Sequence, residues 1–272
     1  MIITALTVSD HATQDYGPLR CVGRFNNAIN FLSQNDRLLT LHREGHGLSP
    51  MGWEIGDDDF DEVFDSQPLA ARCQLSPLGL ELDHALIYCR VKRLNLHLAL
   101  GDEIPLPPLV SALADETAHT GLFGRLDRLV EHALCGEIRD IQSRFTRWLQ
   151  GENVDWSTVL GKGPGLTPSN DDTLVGMLLT AHLDSRVDVT QLPNFFAGSQ
   201  PLSQLTTLVS VYYLQFAAKG IFSTPLQLLA RALLRPSELP DAISDLLETG
   251  HFSGADTLLG IWLGVQTINR LY

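Results

Sequence analysis

A change in hydrophobic period at the proline-rich segment Ile104–Pro108 divides the chain into two regions. Before this segment, β-rich runs such as Leu38–His42 and Ala85–Val91 are separated by Gly, Pro and Asn-Asp turns, a pattern typical of short strands. After it, apolar residues recur about every 3.6 positions, which indicates helices. We therefore predict an α+β fold, with a mainly β sheet or small barrel over residues 1–106 and a mainly α-helical region over residues 107–272.

The composition of the chain argues against several kinds of binding partner. The 272 residues carry a formal net charge of −13 at pH 7, which repels a phosphate backbone, so we expect no nucleic-acid partner. No apolar run approaches the roughly 18 uncharged residues of a membrane span, and the N-terminus lacks a basic leader, so we expect a cytoplasmic protein without a membrane partner. The four cysteines form no CxxC pair, which argues against a zinc site or a disulfide framework.

An internal repeat lies in the helical region. Ser169–Gly176 and Ser253–Gly260 are identical at five of eight positions, and in each copy a serine is followed three residues later by an aspartate, as in a capping box. Each copy therefore predicts the start of a helix, and the apolar residues that follow predict that both helices are buried. Glycines at equivalent positions, Gly176 and Gly260, indicate close backbone approach. We predict a pseudo-twofold pair of glycine-containing helices.

Two interpretations of the repeated aspartates, Asp172 and Asp256, remain open. They cap their helices, or both helix starts face one ligand site. The second interpretation gains support from the segment before the first copy, Gly161–Asp172, which contains three glycines in five residues. Bare backbone N–H groups, a helix start and Lys162 together favour a phosphate or carboxylate. The segment does not end in Gly-Lys-Ser/Thr, so it does not predict a nucleotide site.

Two carboxylates beside an anion are unfavourable unless a cation or an N–H-rich group lies between them. Asp171 and Asp172 therefore either hold a hard cation such as Mg²⁺ or accept hydrogen bonds from an amide or ureido group. Asp256 and His251, from the second copy, could complete either arrangement, with His251 as a proton carrier or merely a capping or packing residue. Metal ligands are not assigned, and Mg²⁺ is the one cofactor that these side chains suggest.

Several of these motifs together resemble one family. They are the run Gly161–Asp172 with Thr173–Gly176, the later Gly250–Asp256, and the early Leu38–His42 with Gly47–Trp53. This set is similar to the AllH family, formerly a domain of unknown function. The resemblance implies a subunit of a bacterial oxamate carbamoyltransferase that acts with two other subunit types in anaerobic allantoin and purine catabolism. The implied reaction converts oxalurate and phosphate into oxamate and carbamoyl phosphate.

We therefore predict a carbamoyltransferase subunit that is active only with partner subunits and supplies a site for a small molecule with carboxylate or phosphate and amide groups. The catalytic candidates are Asp171, Asp172, His251 and Asp256. The substrate- and anion-binding candidates are Lys162, Gly163, Gly165, Thr167, Ser169 and Ser253. Two alternatives stay open: a non-catalytic assembly subunit of that complex, in which the loop is a structural corner, and a metal-dependent hydrolase that uses the aspartates.

Overall fold

The computed structural model describes residues 1–132, 134–248 and 250–272. The chain forms two compact units, Met1–Leu96 and His97–Tyr272. Strands predominate in the first unit and helices in the second, which confirms the predicted α+β class. None of the helices in the described ranges is both long enough and apolar enough to cross a membrane.

The first unit contains a ten-stranded sheet that is curled into a half-barrel. Its strands are β1 (Ile2–Thr4), β2 (Thr7–Ser9), β3 (Gly17–Phe25), β4 (Ala28–Ser33), β5 (Leu38–Arg43), β6 (Gly52–Ile55), β7 (Arg72–Leu75), β8 (Gly79–Glu81), β9 (Leu86–Tyr88) and β10 (Arg93–Leu94). Helix α1 (Asp57–Ser66) follows β6. The strand order is β1-β9-β8-β7-β3-β4-β5-β6-β2-β10, with antiparallel pairs at the centre and parallel pairs at β1–β9, β5–β6 and β10–β2.

The early motifs Leu38–His42 and Gly47–Trp53 lie at β5 and at the segment that leads into and includes the start of β6. His42, on β5, is buried, and its Nε2 lies 2.8 Å from the Ser49 hydroxyl and accepts a hydrogen bond from the Ser49 backbone N–H at 3.3 Å. Burial lowers the pKa of His42 to about 4, so its ring is neutral at physiological pH. These contacts join the two motif segments and indicate a structural role for them.

The second unit is mainly helical. Its elements are α2 (Leu106–Ala114), β11 (His119–Thr120), β12 (Gly124–Arg125), α3 (Leu126–Glu131), α4 (Gly136–Leu149), α5 (Ser169–Leu183), α6 (Leu208–Ala217), α7 (Thr224–Leu233), α8 (Leu239–Leu247) and α9 (Ser253–Leu271). Strands β11 and β12 form a short antiparallel hairpin. Helices α5 and α9 are buried along almost their whole length and form the centre of the unit, so a surrounding layer of helices packs against them.

The repeated glycines allow α5 and α9 to touch along their backbones. A methyl group on Gly176 would overlap the carbonyl oxygen of Thr257, and one on Gly260 would overlap the carbonyl oxygen of Thr173. Since residue 173 corresponds to residue 257 in the repeat, each glycine faces the same position of the other helix. The predicted pseudo-twofold pair is confirmed, and its close approach explains why glycine occupies two helix interiors where it costs roughly 1 kcal/mol relative to alanine.

Candidate functional site

The pairing of α5 and α9 brings their first turns together. Thr173 Oγ1 on α5 donates to the Asp256 carbonyl oxygen on α9 at 3.3 Å, and Thr167 Oγ1, just before α5, lies 3.5 Å from Ser253 Oγ at the start of α9. Segments more than 80 residues apart in the chain therefore form one polar cluster. The two helix starts therefore lie together. That both face one ligand site stays a prediction.

The repeated serines and aspartates interact crosswise between the helices. Asp172 accepts a hydrogen bond from Thr167 Oγ1 at 2.9 Å, and the Ser253 hydroxyl of α9 also stabilises its carboxylate. Asp256 accepts the Gly121 backbone N–H with both carboxylate oxygens, at 3.0 and 3.3 Å, and lies beside Ser169 of α5. Each aspartate is thus set against the serine of the opposite helix.

The capping-box interpretation is wrong for both helices. Ser169 and Ser253 are the first helical residues, the N-cap positions are Pro168 and Phe252, and neither cap makes a side-chain hydrogen bond. The first turn of α5 finds main-chain acceptors, since the Asn170 N–H donates to the Lys162 carbonyl oxygen at 3.0 Å. The repeated serine and aspartate side chains therefore do not cap their own helices. Each aspartate instead lies beside the serine of the other helix.

Burial raises the pKa of both crossed carboxyl groups. Burial raises the pKa of Asp172 well above its usual value; the Ser253 and Thr167 hydroxyls oppose this shift, and the negative charges of Asp256 and Asp171 reinforce it. Burial raises the pKa of Asp256 to about 6, opposed by the neighbouring Ser169 hydroxyl and the Gly121 N–H. The pair therefore holds a proton into the pH range where an isolated aspartate would be ionised.

Asp171, the third candidate acid, faces away from this pair. One of its oxygens accepts the Gly161 N–H at 2.8 Å, and the other accepts the Ser210 hydroxyl at 2.6 Å and the Thr206 hydroxyl. Burial raises its pKa, while these three hydrogen bonds oppose the shift. Asp171 therefore fastens the start of the glycine-rich loop to the segment that leads into α6.

The glycine-rich loop closes tightly over the head of α5. Gly161, Gly163 and Gly165 all have positive φ, and a methyl group on Gly163 would lie 2.5 Å from the Ser169 backbone nitrogen. These positions require glycine because an ordinary side chain is strained or excluded there. Lys162 is directed outward, where its Nζ pairs with Glu137 Oε1 on α4 at 3.1 Å.

The structure thus brings together only part of the predicted set. The residues at the paired helix heads are Gly163, Thr167, Ser169, Asp172, Ser253 and Asp256. Lys162, Gly165 and His251 are exposed, and the His251 ring packs edge-to-face on Phe252 with centroids 4.2 Å apart. His251 therefore lies toward solvent rather than among the buried acids.

Gly121 is a contributor that the sequence did not reveal. It lies in the β11–β12 hairpin, 135 residues before the aspartate that it contacts. A methyl group on it would overlap Ser169 Oγ and approach Pro164 to 3.0 Å. The glycines of the Thr120–Gly124 segment signal a tight turn, but nothing in their spacing indicates which helix the turn covers.

The described parts of the chain contain no cluster of three or more His, Cys, Asp or Glu side chains arranged to hold a metal ion. The oxygens of Asp172 and Asp256 instead receive hydrogen bonds from hydroxyl and amide groups.

The fold and this cluster define an α+β protein whose helical unit sets a pair of buried carboxylic acids beneath a glycine-rich loop. Residues 159–265 match the family model described as oxamate carbamoyltransferase subunit AllH. The match spans the loop and both helix heads, so the predicted resemblance to the AllH family is confirmed for this part of the chain. No solved structure matches the chain.

Proposed function

We propose that this protein is a subunit of an oxamate carbamoyltransferase and that it supplies a small-ligand site at the paired heads of α5 and α9. The observation that carries the proposal is the crossed arrangement of Asp172 with Ser253 and of Asp256 with Ser169. Buried acids with raised pKa values at one cluster are a feature of functional sites, because burying ionisable groups is unfavourable unless they serve a purpose.

The two acids suit a ligand that carries an amide. An ionised Asp256 can accept N–H groups of a carbamoyl or ureido end, while a neutral Asp172 can donate to a carbonyl oxygen. The acidic end of the ligand would then lie toward the exposed part of the loop at Gly165 and Lys162, where charge is neutralised after Lys162 leaves Glu137.

The same pair can serve carbamoyl transfer. When a phosphate oxygen bonds to the carbamoyl carbon of oxalurate, the carbon–nitrogen bond to oxamate breaks and the departing nitrogen takes a proton. Asp172, held toward its neutral form, is suited to donate that proton, and it is then reprotonated by way of Asp256 or solvent. His251 is exposed, so it is not placed to contact a ligand held between the buried acids.

The competing candidate is a non-catalytic assembly subunit. One observation favours it: several polar groups of the loop already have partners within the chain. Lys162 pairs with Glu137, the Asn170 N–H donates to the Lys162 carbonyl, and Asp171 accepts three hydrogen bonds. In that case the crossed acids only lock α5 to α9, and ligands bind on other subunits.

Reconstitution separates the two candidates. Carbamoyl transfer is measured with the partner subunits and either the natural chain, Asp172→Asn or, as a matched control, Asp184→Asn. Asp184 is a buried aspartate at the opposite end of α5, paired with Arg186. We expect Asp172→Asn to lower kcat about a hundredfold, the usual scale of general-acid catalysis, with little change in oxamate affinity by calorimetry. Full activity of Asp172→Asn in an intact complex would establish the assembly role.

A further inference from the structure

We propose that the β11–β12 hairpin is a lid over the paired helix heads, and that its Gly121 peptide occupies the position on Asp256 and Ser169 that a primary amide or ureide ligand takes. This inference rests on the proposed function, because it concerns the same site. It adds the segment that must move to admit the amide group and the hydroxyl, that of Ser169, which this group would meet.

The contact that holds the lid shut is a peptide N–H on a carboxylate. Gly121 N lies 3.0 and 3.3 Å from the two oxygens of Asp256. The Gly121 Cα sits so close to Ser169 Oγ that any side chain there would overlap it. Ser169 is 0% and Asp256 1% exposed, so a ligand reaches them only after a covering segment has moved. The hairpin tip contacts both residues, whereas the loop at Gly163 covers Ser169.

The second observation is an unsatisfied hydroxyl beneath the lid. Ser169 Oγ is buried and has no partner in hydrogen-bonding geometry among the described residues, although the Asp256 carboxylate is close enough for the hydroxyl to lower its pKa. A buried hydroxyl without a partner is unfavourable, and in a natural protein it often marks a place for a ligand or water.

A carboxamide would satisfy both groups at once. Its N–H can replace the Gly121 N–H on Asp256, and its carbonyl oxygen can accept the Ser169 hydroxyl, which the peptide of the closed lid leaves unpaired. A carboxylate offers no N–H and would place its charge beside Asp256, which is unfavourable. The geometry therefore selects the amide end of a small molecule rather than its acidic end.

The hairpin has a hydrogen-bonded base and a tip that borders a cavity. At the base, the Leu126 N–H donates to the Ala118 carbonyl at 3.0 Å, and Thr120 Oγ1 donates to the Gly124 carbonyl at 2.9 Å. The tip borders a cavity of about 400 Å³, which is lined by Leu122, Phe123, Arg128, Leu129, His132 and Cys135. The tip can therefore move into this space while the base stays in place.

Hydrogen–deuterium exchange of the full chain with oxamate and with oxalate tests the lid. The two ligands have the same skeleton, but oxamate has an amide at the end where oxalate has a second carboxylate. We expect saturating oxamate to raise deuterium uptake of residues 119–125 severalfold, because the Gly121 N–H loses its acceptor, and oxalate to leave it unchanged. Two outcomes would overturn the inference. One is unchanged or reduced deuterium uptake while calorimetry shows that oxamate is bound, and the other is an equal rise in uptake with oxalate.

Two variants separate the lid from a merely structural contact. Gly121→Ala forces the tip off Ser169, so it should bind oxamate more tightly than the natural chain, whereas Gly136→Ala, whose methyl group meets no atom within 4 Å, should not. Ser169→Ala should leave the unfolding midpoint unchanged but weaken oxamate binding about threefold to tenfold, the scale of one hydrogen bond.

Three results of these measurements would count against the lid. They are Gly121→Ala binding no more tightly than Gly136→Ala, Ser169→Ala lowering the unfolding midpoint without affecting affinity, and oxamate binding to neither the natural chain nor Gly121→Ala. The proposed function is decided separately, by carbamoyl transfer in the reconstituted complex, so either idea can fail alone.

Discussion

The heads of α5 and α9 have the same repeated residues but different surroundings. At α5, a glycine-rich loop closes over the helix and Asp171 adds a further buried acid. In α9, Gly254 and Ala255 stand where α5 has Asn170 and Asp171. The Asp172 carboxyl accepts hydroxyl groups, and the Asp256 carboxyl accepts a peptide N–H from the hairpin. The pKa of both is raised, that of Asp172 well above its usual value and that of Asp256 to about 6.

This difference shows how a symmetric scaffold can carry unequal acids. The glycine contacts between the helices fix the backbone symmetrically, and the neighbouring segments then set the chemistry of each carboxyl group. Two neighbouring acids with raised pKa values and different hydrogen-bond partners suit the proton transfer and amide recognition of the proposed function. The predictions below first remove the symmetric contact and then probe each acid.

Gly260→Ala should have the largest effect on stability. Its methyl group would overlap the Thr173 carbonyl oxygen, and a buried backbone cannot move without separating the helices. We expect the free energy of unfolding to fall by more than about 3 kcal/mol, at or beyond the upper range for overpacking. Denaturant unfolding measures this, with Gly136→Ala as the control. A variant as stable as the control would mean that the helices are not in backbone contact.

The Asp256 carboxyl should make stability depend on pH. Its pKa is raised from 3.8 to about 6 on folding, so the folded state binds the proton more tightly than the unfolded state. The resulting stabilisation is present below pH 4 and is lost as the pH rises through about 6, a change of roughly 3 kcal/mol. Unfolding at pH 4.5, 5.5 and 7 should show the larger part of this fall, about 2 kcal/mol, in the natural chain relative to Asp256→Asn. Equal pH profiles for the two proteins would contradict the raised pKa.

Asp172→Asn should have the smallest effect. Because the pKa of Asp172 is raised well above its usual value, an asparagine resembles the favoured neutral form, and its carbonyl oxygen can still accept the Thr167 hydroxyl. We expect the free energy of unfolding at pH 7 to change by less than about 1 kcal/mol, whereas Asp172→Ala should cost about 2 kcal/mol by leaving the half-buried hydroxyls of Thr167 and Ser253 without this acceptor. A large loss in the asparagine variant would indicate an ionised carboxylate.

The sequence predicted the helix pair but not the contacts of its repeated serine and aspartate side chains. Identical spacing in the two copies was enough to place Gly176 opposite α9 and Gly260 opposite α5, because helical geometry fixes what lies on one face. The S-x-x-D pattern was interpreted as a capping box, and the structure shows that Pro168 and Phe252 occupy the cap positions instead. A shift of one residue at a helix start is beyond the precision of a pattern.

Contacts between distant segments were also beyond prediction. Gly121, Thr206 and Ser210 all hydrogen-bond to the candidate aspartates, yet they lie in a hairpin and in the segment around the start of α6 whose packing depends on the complete fold. Lys162 was expected to help the loop bind a phosphate or carboxylate. Its long side chain instead reaches Glu137 on α4, a partner that only the folded chain brings within range. The glycine spacing was enough to predict the loop, but the residues that contact it depend on the tertiary structure.

Carboxyl ¹³C NMR of Asp172 and Asp256 during an oxamate titration tests most directly whether the paired helix heads form one ligand site. We predict that both resonances shift with the same half-saturation concentration, which calorimetry on the same sample also gives. Resonances that stay fixed while calorimetry reports bound oxamate would show that the ligand binds elsewhere and that the crossed acids serve only to hold α5 and α9 together.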